Sequence, residues 1–406
     1  MRGRKTFWLA AAFYLLLIAL CVAGVLGYRR YTFDKKWREL NVSVRFSVSE
    51  EAKEPAITLT VPQLQQTAGR FDEAASAYFY DRISPEEQTV YRGVVYAMEH
   101  SLNFFDLPKG TLTAEAITKT VRMACFDHPM LEENCTFKLM TGTLTVGDRV
   151  ADRYFLCFEG FTAEGLAGKE KAYEAARSVL EQLPAASGRE QARGIYDWVV
   201  RNIRYTEDEN YMDGAPQFLY DAMIGHSSNC DGISNAFALL MNLAGMDCFN
   251  IIDEPAEEED GHTWNYLRWG EGYLSADPTA EGNLFDHVGE NVFAYFGRSQ
   301  KAMNKKVLYA SVADLLPPCA DPEADSAGVD VVIAGKTPTA AEKEELQQAM
   351  RALKAGASYR LVRCDAFRDL SETERLERIK EWTVPRRIRM TLHTAGEVYC
   401  VMRPST

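Results

Sequence analysis

Cys230, His262 and Asp277 are the residues of this chain whose types and order could carry nucleophilic catalysis. A thiol attacks as its thiolate, an imidazole can take the proton, and a carboxylate can orient and stabilise that imidazole. The cysteine sits in SSNCDGISNAFALLMNLAG, from Ser227 to Gly245. There Ile233, Ala236, Phe237, Leu240, Met241 and Ala244 recur at the spacing of one buried helical face. Gly245 supplies a left-handed stop. Cys230 therefore falls at the first helical turn, where unbonded N–H groups and the positive dipole end favour a thiolate. A free cysteine is more often a small buried hydrophobe. The downstream residues turn the balance toward chemistry.

Those residues form HTWNYLRWGEGYLSADPT, with His262 opening one aromatic-rich strand and Asp277 closing the next. Gly270-Glu271-Gly272 between them is turn chemistry. A two-residue turn at Gly270-Glu271 pairs Trp269 with Gly272, sets Trp264 opposite Asp277, and makes His262 the diagonal neighbour of Asp277 on one face. A three-residue loop without a bulge would put the two on opposite faces. Taken singly, His262 reads as an ordinary strand histidine and Asp277 as a turn residue before Pro278. The triad thus makes a definite demand on the turn.

The region resembles the transglutaminase-like superfamily. The resemblance lies in Asn229-Cys230-Asp231-Gly232 and the helix through Gly245-Met246, in His262-Thr263-Trp264-Asn265, and in Asp277-Pro278-Thr279. Upstream, Ile195-Tyr196-Asp197-Trp198-Val199 and Ile203-Arg204-Tyr205 are similar to the segment before the nucleophile in bacterial members. It covers roughly Glu170 to Tyr309. The resemblance implies an α+β fold with a papain-like core, in which the cysteine helix packs on an antiparallel sheet bearing His and Asp. It also implies that Cys230 attacks a peptide or protein amide to form a thioester. His262 then shuttles protons and Asp277 fixes its tautomer. A primary amine or water would resolve the thioester, giving cross-linking or hydrolysis. The Cys230 N–H is half of an expected oxyanion hole; Gln217, Tyr205 and Tyr220 are candidates for the other donor. A non-catalytic surface binding module on the same fold is the alternative.

The remaining motifs add little chemistry. His226 with Cys230 and His262 matches no compact zinc spacing, and His100, His128, His287 and His393 are scattered, so no metal or cofactor is expected. No phosphate-binding glycine loop, dinucleotide fingerprint or EF-hand loop occurs. Asn41-Val42-Ser43 and Asn134-Cys135-Thr136 fit the glycosylation sequon. The run Asp253 to Asp260 reads as a solvated acidic hairpin; its functional alternative is a collar drawing cationic amine acceptors. Of nine cysteines, the seven besides Cys21 and Cys230 form no CxxC clip or dense disulfide framework. Cys125 could pair with Cys135 or Cys157.

The elements that must position the triad follow from pattern. Ser84-Pro85-Glu86-Glu87 opens a capped helix. Strands are expected in CTFKLMTGTLTVGDRV and DRYFLCFEGF, helices in KEKAYEAARSVLEQLP and GREQARGIYDWVVRNIRY, and a strand in DCFNIIDE. Beyond a linker at Pro317-Pro318 and DPEADSAG, a β-α-β-α-β order follows. The 406 residues, 47% hydrophobic, can bury more than one core. A net charge of -13 argues against nucleic acid, which needs a basic surface. The uncharged run from Phe7 to Tyr28 is long enough to span a bilayer. The expected organisation is therefore a cytoplasmic tail at 1–6, a transmembrane signal anchor at 7–28 (a cleaved signal peptide is the alternative), an extracytoplasmic α/β region at 29–165, the transglutaminase-like domain at 166–316 and a small α/β domain at 325–406. The expected location is the cell membrane, single-pass, with the catalytic domain outside the cytoplasm.

Overall fold

The computed structural model describes residue 69 and residues 71–402, apart from 111, 132–136, 147–148, 159–160, 208–210, 213–214, 217, 254–260, 304–309, 368–369, 384–390 and 396–397. The expected tail and membrane anchor, the asparagines of both sequons, Cys21, Cys135, Gln217 and the acidic run from Glu254 lie outside the described residues. Among the described residues no helix is long and apolar enough to cross a membrane.

Helix α1 (Pro85–Glu99) starts as its sequence requires, with Ser84 and Glu87 closing a reciprocal capping box and Pro85 in the first turn. Strand β1 (Phe104–Pro108) and helix α2 (Ala114–Asp127) follow; neither stands out in the sequence. Three threonines, an isoleucine and a valine, in and just before α2, weaken its propensity. Its stripe of Ile117, Val121, Ala124 and Cys125 is nonetheless buried. Strands β2 (Phe137–Val146) and β3 (Arg149–Phe158) complete an antiparallel sheet of order β1-β3-β2. Asp127 is fully buried and accepts from Phe79 N, Tyr80 N and the Tyr91 hydroxyl, tying α2 to the segment before α1.

Helix α3 (Ala163–Gln182) begins six residues before Lys169, because Thr162 caps it through Gly165 N at 3.0 Å. After α4 (Gly188–Asn202) come four two-residue strands: β4 (Arg204–Tyr205), β5 (Tyr211–Met212), β6 (Ala215–Pro216) and β7 (Ser227–Ser228). Helix α5 (Cys230–Leu243) and strands β8 (Cys248–Asp253), β9 (His262–Trp269) and β10 (Gly272–Ala276) follow. Then come helix α6 (Pro278–Val288) and strand β11 (Phe296–Arg298). These last four strands form an antiparallel sheet of order β11-β10-β9-β8. One apolar core runs from Phe71 and α1 through β1 and β3 to α3, α4 and α5, and on to Leu267 and Ala276. The region before residue 165 and the segment after it thus bury a common interior.

The proline-rich stretch after Leu316 contains a short helix, Pro322–Ser326. Buried Arg298 grips it, donating to the carbonyls of Ala324, Asp325 and Ala327. Strand β12 (Val331–Ile333), helix α7 (Ala340–Ala355), β13 (Tyr359–Cys364), helix α8 (Glu372–Trp382), β14 (Thr391–Ala395) and β15 (Val398–Met402) complete the chain. Their sheet has the order β12-β13-β15-β14, with β12 and β13 parallel. The last expected strand is in fact an antiparallel pair, with Ala395 opposite Val398. A further apolar cluster joins Leu284, Val292 and Ala294 to Leu361, Val398 and Cys400, so this sheet packs on the α6–β11 side.

Candidate active site

Helix α5 starts at Cys230 because Asn229 caps it. The Asn229 Oδ1 accepts from Asp231 N at 3.1 Å and Gly232 N at 3.2 Å. Gly245 takes φ +76°, the left-handed conformation that ends the helix. Gly232 permits a close approach: a Cβ there would lie 2.1 Å from Ser228 Oγ and 2.4 Å from the Phe218 carbonyl oxygen. Ser228 Oγ in turn donates to that carbonyl at 3.0 Å. The helix start is therefore wedged between β7 and the turn Phe218–Tyr220. A π-helical stretch, Asp221–Gly225, and left-handed His226 at φ +55° lead into it.

The β9–β10 turn meets the demand set by the triad. Trp269 pairs with Gly272, Gly270 has φ +61°, and Glu271 is not among the residues with positive φ, as in a type II′ turn. The register continues to Asn265 opposite Ala276, one step short of Trp264 and Asp277. His262 Nε2 and Asp277 Oδ2 then lie 2.8 Å apart. The Asp277 side chain has no exposure, whereas that of His262 is 24% exposed, enough for a substrate to reach the ring.

Asp277 is held at every polar atom. Its Oδ1 accepts from Ala280 N at 2.9 Å, capping α6. Its N–H donates to Tyr295 O at 2.9 Å, and its carbonyl accepts from the Tyr196 hydroxyl at 2.9 Å. The helix cap and the imidazole orienter are one residue. The ring's Nε2 faces the carboxylate, so Nδ1 is the ring nitrogen turned away from Asp277.

The cysteine helix is joined to the histidine strand one residue along from each partner. Thr263 Oγ1 donates to Asp231 Oδ1, and Ser234 Oγ donates to the Thr263 carbonyl at 3.0 Å. Among the described residues no hydrogen bond joins the Cys230 thiol to the His262 ring. Catalytic hydrogen bonds in ligand-free sites are often long and tighten on binding.

Three groups around the site escape a sequence reading. Asn235, Asn250 and Asn265, all fully buried, form a ladder across α5, β8 and β9. Asn250 Nδ2 donates to Asn235 Oδ1 at 2.6 Å. Asn265 Nδ2 donates to Asn250 Oδ1 at 2.7 Å and to the Ser234 carbonyl at 3.0 Å. Glu281, one helical turn after Asp277, is fully buried and accepts from Val292 N at 3.1 Å and Tyr295 N at 2.8 Å. Burial pushes its carboxyl up to about 7, against the pull of those N–H bonds and of Arg298. Arg298 is the third. An Asn in a strand reading HTWNYLRW is the one available signal; nothing near Glu281 or Arg298 in the sequence marks them as buried.

Of the expected second oxyanion donors, Gln217 is outside the described residues. Tyr205 pairs with Ser228 two residues before the cysteine and is 46% exposed. Tyr220 lies in the turn under Gly232 and has the Lys171 ammonium 5.9 Å from its ring centre. His226 sits beside Trp198, ring centres 6.3 Å apart. Cys125 and Cys157 are free thiols, as are Cys230, Cys248, Cys319, Cys364 and Cys400.

Residues 166–278 match the family model of the transglutaminase-like superfamily. No curated protein matches the chain. Among solved structures, the periplasmic domain of TgpA from Pseudomonas aeruginosa, bound to ethylmercury, is 15% identical with a TM-score of 0.22, covering 32% of this chain and 56% of that one. A crystal structure described as a TGase is 13% identical with a TM-score of 0.23, covering 43% of this chain and 50% of that one. The chain thus spans about half the length of these structures.

Proposed function

We propose that this chain, whose residues 166–278 belong to the transglutaminase-like superfamily, is a cysteine enzyme acting on peptide or protein amides through a thioester. Cys230 is the nucleophile, His262 the proton carrier and Asp277 its orienting carboxylate. The observation that carries this reading is the 2.8 Å bond from a buried carboxylate to a partly exposed imidazole. The imidazole of that pair stands on the strand bonded to the first turns of the cysteine helix.

In the first half-reaction His262 Nδ1 takes the thiol proton and Cys230 Sγ attacks the amide carbonyl carbon. The oxyanion forms at the start of α5, where the Cys230 N–H and the positive helix end stabilise it. The C–N bond then breaks, the imidazolium gives its proton to the departing nitrogen, and ammonia or an amine leaves. Buried Asp277 stabilises the transient imidazolium. In the second half-reaction water or a primary amine attacks the thioester carbon and gives a proton to His262. The C–S bond breaks, and that proton returns to the sulfur. Water yields hydrolysis and an amine yields a new amide. The uncharged run Phe7 to Tyr28 supports placing this body outside the cytoplasm on a membrane anchor. Protease shaving of intact cells expressing the chain tests that placement, and protection of the catalytic segment would refute it.

The chemistry is tested by alkylating the protein with iodoacetamide across pH 4–9 and mapping the labelled cysteines. A thiolate–imidazolium pair gives Cys230 labelling that persists well below the titration of a free thiol and disappears in His262→Ala. Labelling of Cys230 that follows an ordinary thiol, unchanged in His262→Ala, would refute the enzyme reading. A fluorescent amine offered with a peptide amide then separates transfer from hydrolysis.

A further inference from the structure

A cavity of about 490 Å³ opens between α4, the β9–β10 turn, the loop before β11 and the C-terminal sheet. Its volume suits a small ligand. Trp269, on its wall, and His262 sit at the two ends of β9, roughly 23 Å apart along the strand. It is therefore separate from the Cys230 site.

Its lining is rich in donors and poor in acceptors. Arg189 and Arg193, one turn apart on α4, stack on aromatic faces: the Arg189 guanidinium carbon is 4.5 Å from the Trp269 ring centre, and that of Arg193 is 3.6 Å from the Phe293 ring centre. Such stacking fixes a guanidinium while leaving its N–H edges unengaged. Neither arginine makes an ion pair among the described residues. The Trp269 indole Nε1–H is buried with no hydrogen-bond partner among the described residues.

The backbone carries a third sign. Phe293 has φ +57°, an outlier for a bulky side chain. It is held there by Asn291 Oδ1 on its N–H and by Arg298 Nη2 on its carbonyl. That conformation places an aromatic ring under Arg193. Strain maintained by surrounding bonds is a feature of ligand-binding segments.

The charge balance selects the ligand. Among the wall residues two guanidiniums stand with one carboxylate, Asp321, whose Oδ1 already accepts from Ala324 N at 3.1 Å. Glu290 and Asp330 also act on the wall residue Tyr359, so the surroundings favour an anion of low charge, a monoanion rather than a dianion. Aromatic and aliphatic walls suit an apolar body. We propose that this cavity binds a small apolar monocarboxylate, such as an acylated aromatic amino acid or the C-terminal residue of a peptide.

The test is the indole N–H resonance of Trp269 in the full chain, identified by its loss in Trp269→Phe, titrated with N-acetylphenylalanine and with its uncharged amide. The expected result is a saturating shift with the acid and none with the amide. In Arg189→Gln/Arg193→Gln the apparent Kd should rise at least about tenfold, while the other indole signals stay in place and report an intact fold. A tripeptide ending in phenylalanine separates the sources: a matching shift assigns a peptide terminus, and a response to the amino acid alone assigns a free small acid. No shift up to about 10 mM, equal shifts with acid and amide, or undiminished binding in the double variant would each overturn the proposal.

Discussion

Asp277 holds His262 and a helix at the same time: Oδ2 bonds the imidazole Nε2 at 2.8 Å while Oδ1 accepts the Ala280 N–H at 2.9 Å. The two bonds fix which oxygen does what. Asp277→Asn makes this visible. The amide oxygen must stay on Ala280 N–H, which leaves the amide NH₂ against Nε2. A donor there puts the ring proton on Nδ1, the nitrogen that has to receive the thiol proton. Stability should change by less than about 1 kcal/mol because asparagine caps as well as aspartate. Reactivity of Cys230 with iodoacetamide near pH 6 should fall by about a hundredfold or more. Asp277→Ala should lose reactivity and about a further 1 kcal/mol of stability. Urea melts and labelling rates measure both, and a fully reactive Asp277→Asn would refute the assignment.

Gly232 is required by space alone. In Gly232→Ala the new Cβ would meet the Phe218 carbonyl oxygen at 2.4 Å, and backbone cannot rotate away as a side chain can. A loss of about 1–3 kcal/mol is expected. Gly282→Ala, in α6 with nothing within 4 Å, is the control and should gain up to about 1 kcal/mol. Equal melting midpoints for the two variants would contradict the packing described at the helix start.

The asparagine ladder couples the cysteine helix to its sheet. Asn265→Leu leaves the buried Asn250 Oδ1 without its donor at 2.7 Å, which should cost about 1–3 kcal/mol. Combined with Asn250→Leu, the second change should cost less than it does alone, because the polar group it would have stranded is gone. A double-mutant cycle reads this directly. Strict additivity would mean that the two amides do not depend on each other.

Two buried groups act oppositely on stability as pH changes. Burial, with lesser help from Lys169 and Arg92, pushes His128 down to about 3 from 6.5, so it stays neutral in the fold. On acidification from 6.5 the unfolded chain gains that proton first, and stability falls until about pH 3. Glu281, raised to about 7 from 4.5, keeps its proton in the fold where the unfolded chain loses it. Its contribution is therefore full below 4.5 and is lost as pH rises to 7. Between 4.5 and 6.5 the two slopes oppose each other. Glu281→Gln should make stability fall with acid, relative to the parent, by about 1.4 kcal/mol per pH unit in that window. His128→Phe should do the reverse. Chemical denaturation at half-unit pH steps checks this, and parallel curves for all three proteins would refute it.

Much of the site was legible in sequence because it is local. The stripe from Ile233 to Ala244, Gly245 as terminator, and the turn at Gly270-Glu271 each depend on near neighbours, and they fix where Cys230 falls and that His262 and Asp277 share a face. What escaped is what distant segments supply. Pro278–Val288 was missed as a helix because DPT reads equally well as a strand end and turn; its cap is completed only when Asp277 is seen to bond Ala280. In α2 the β-branched residues mask a helix that burial against α1 stabilises.

By itself, the sequence determined the order of Cys230, His262 and Asp277, the helix start under the cysteine and the turn that brings histidine and acid to one face, since periodicity and turn chemistry are properties of adjacent residues. Only the tertiary structure decided that Glu281 and Arg298 are buried, that three asparagines bond across helix and sheet, and that one core crosses residue 165. Those outcomes depend on which surfaces meet after folding. A charged side chain carries no mark of its burial until carbonyls and N–H groups from elsewhere in the chain arrive to bond it.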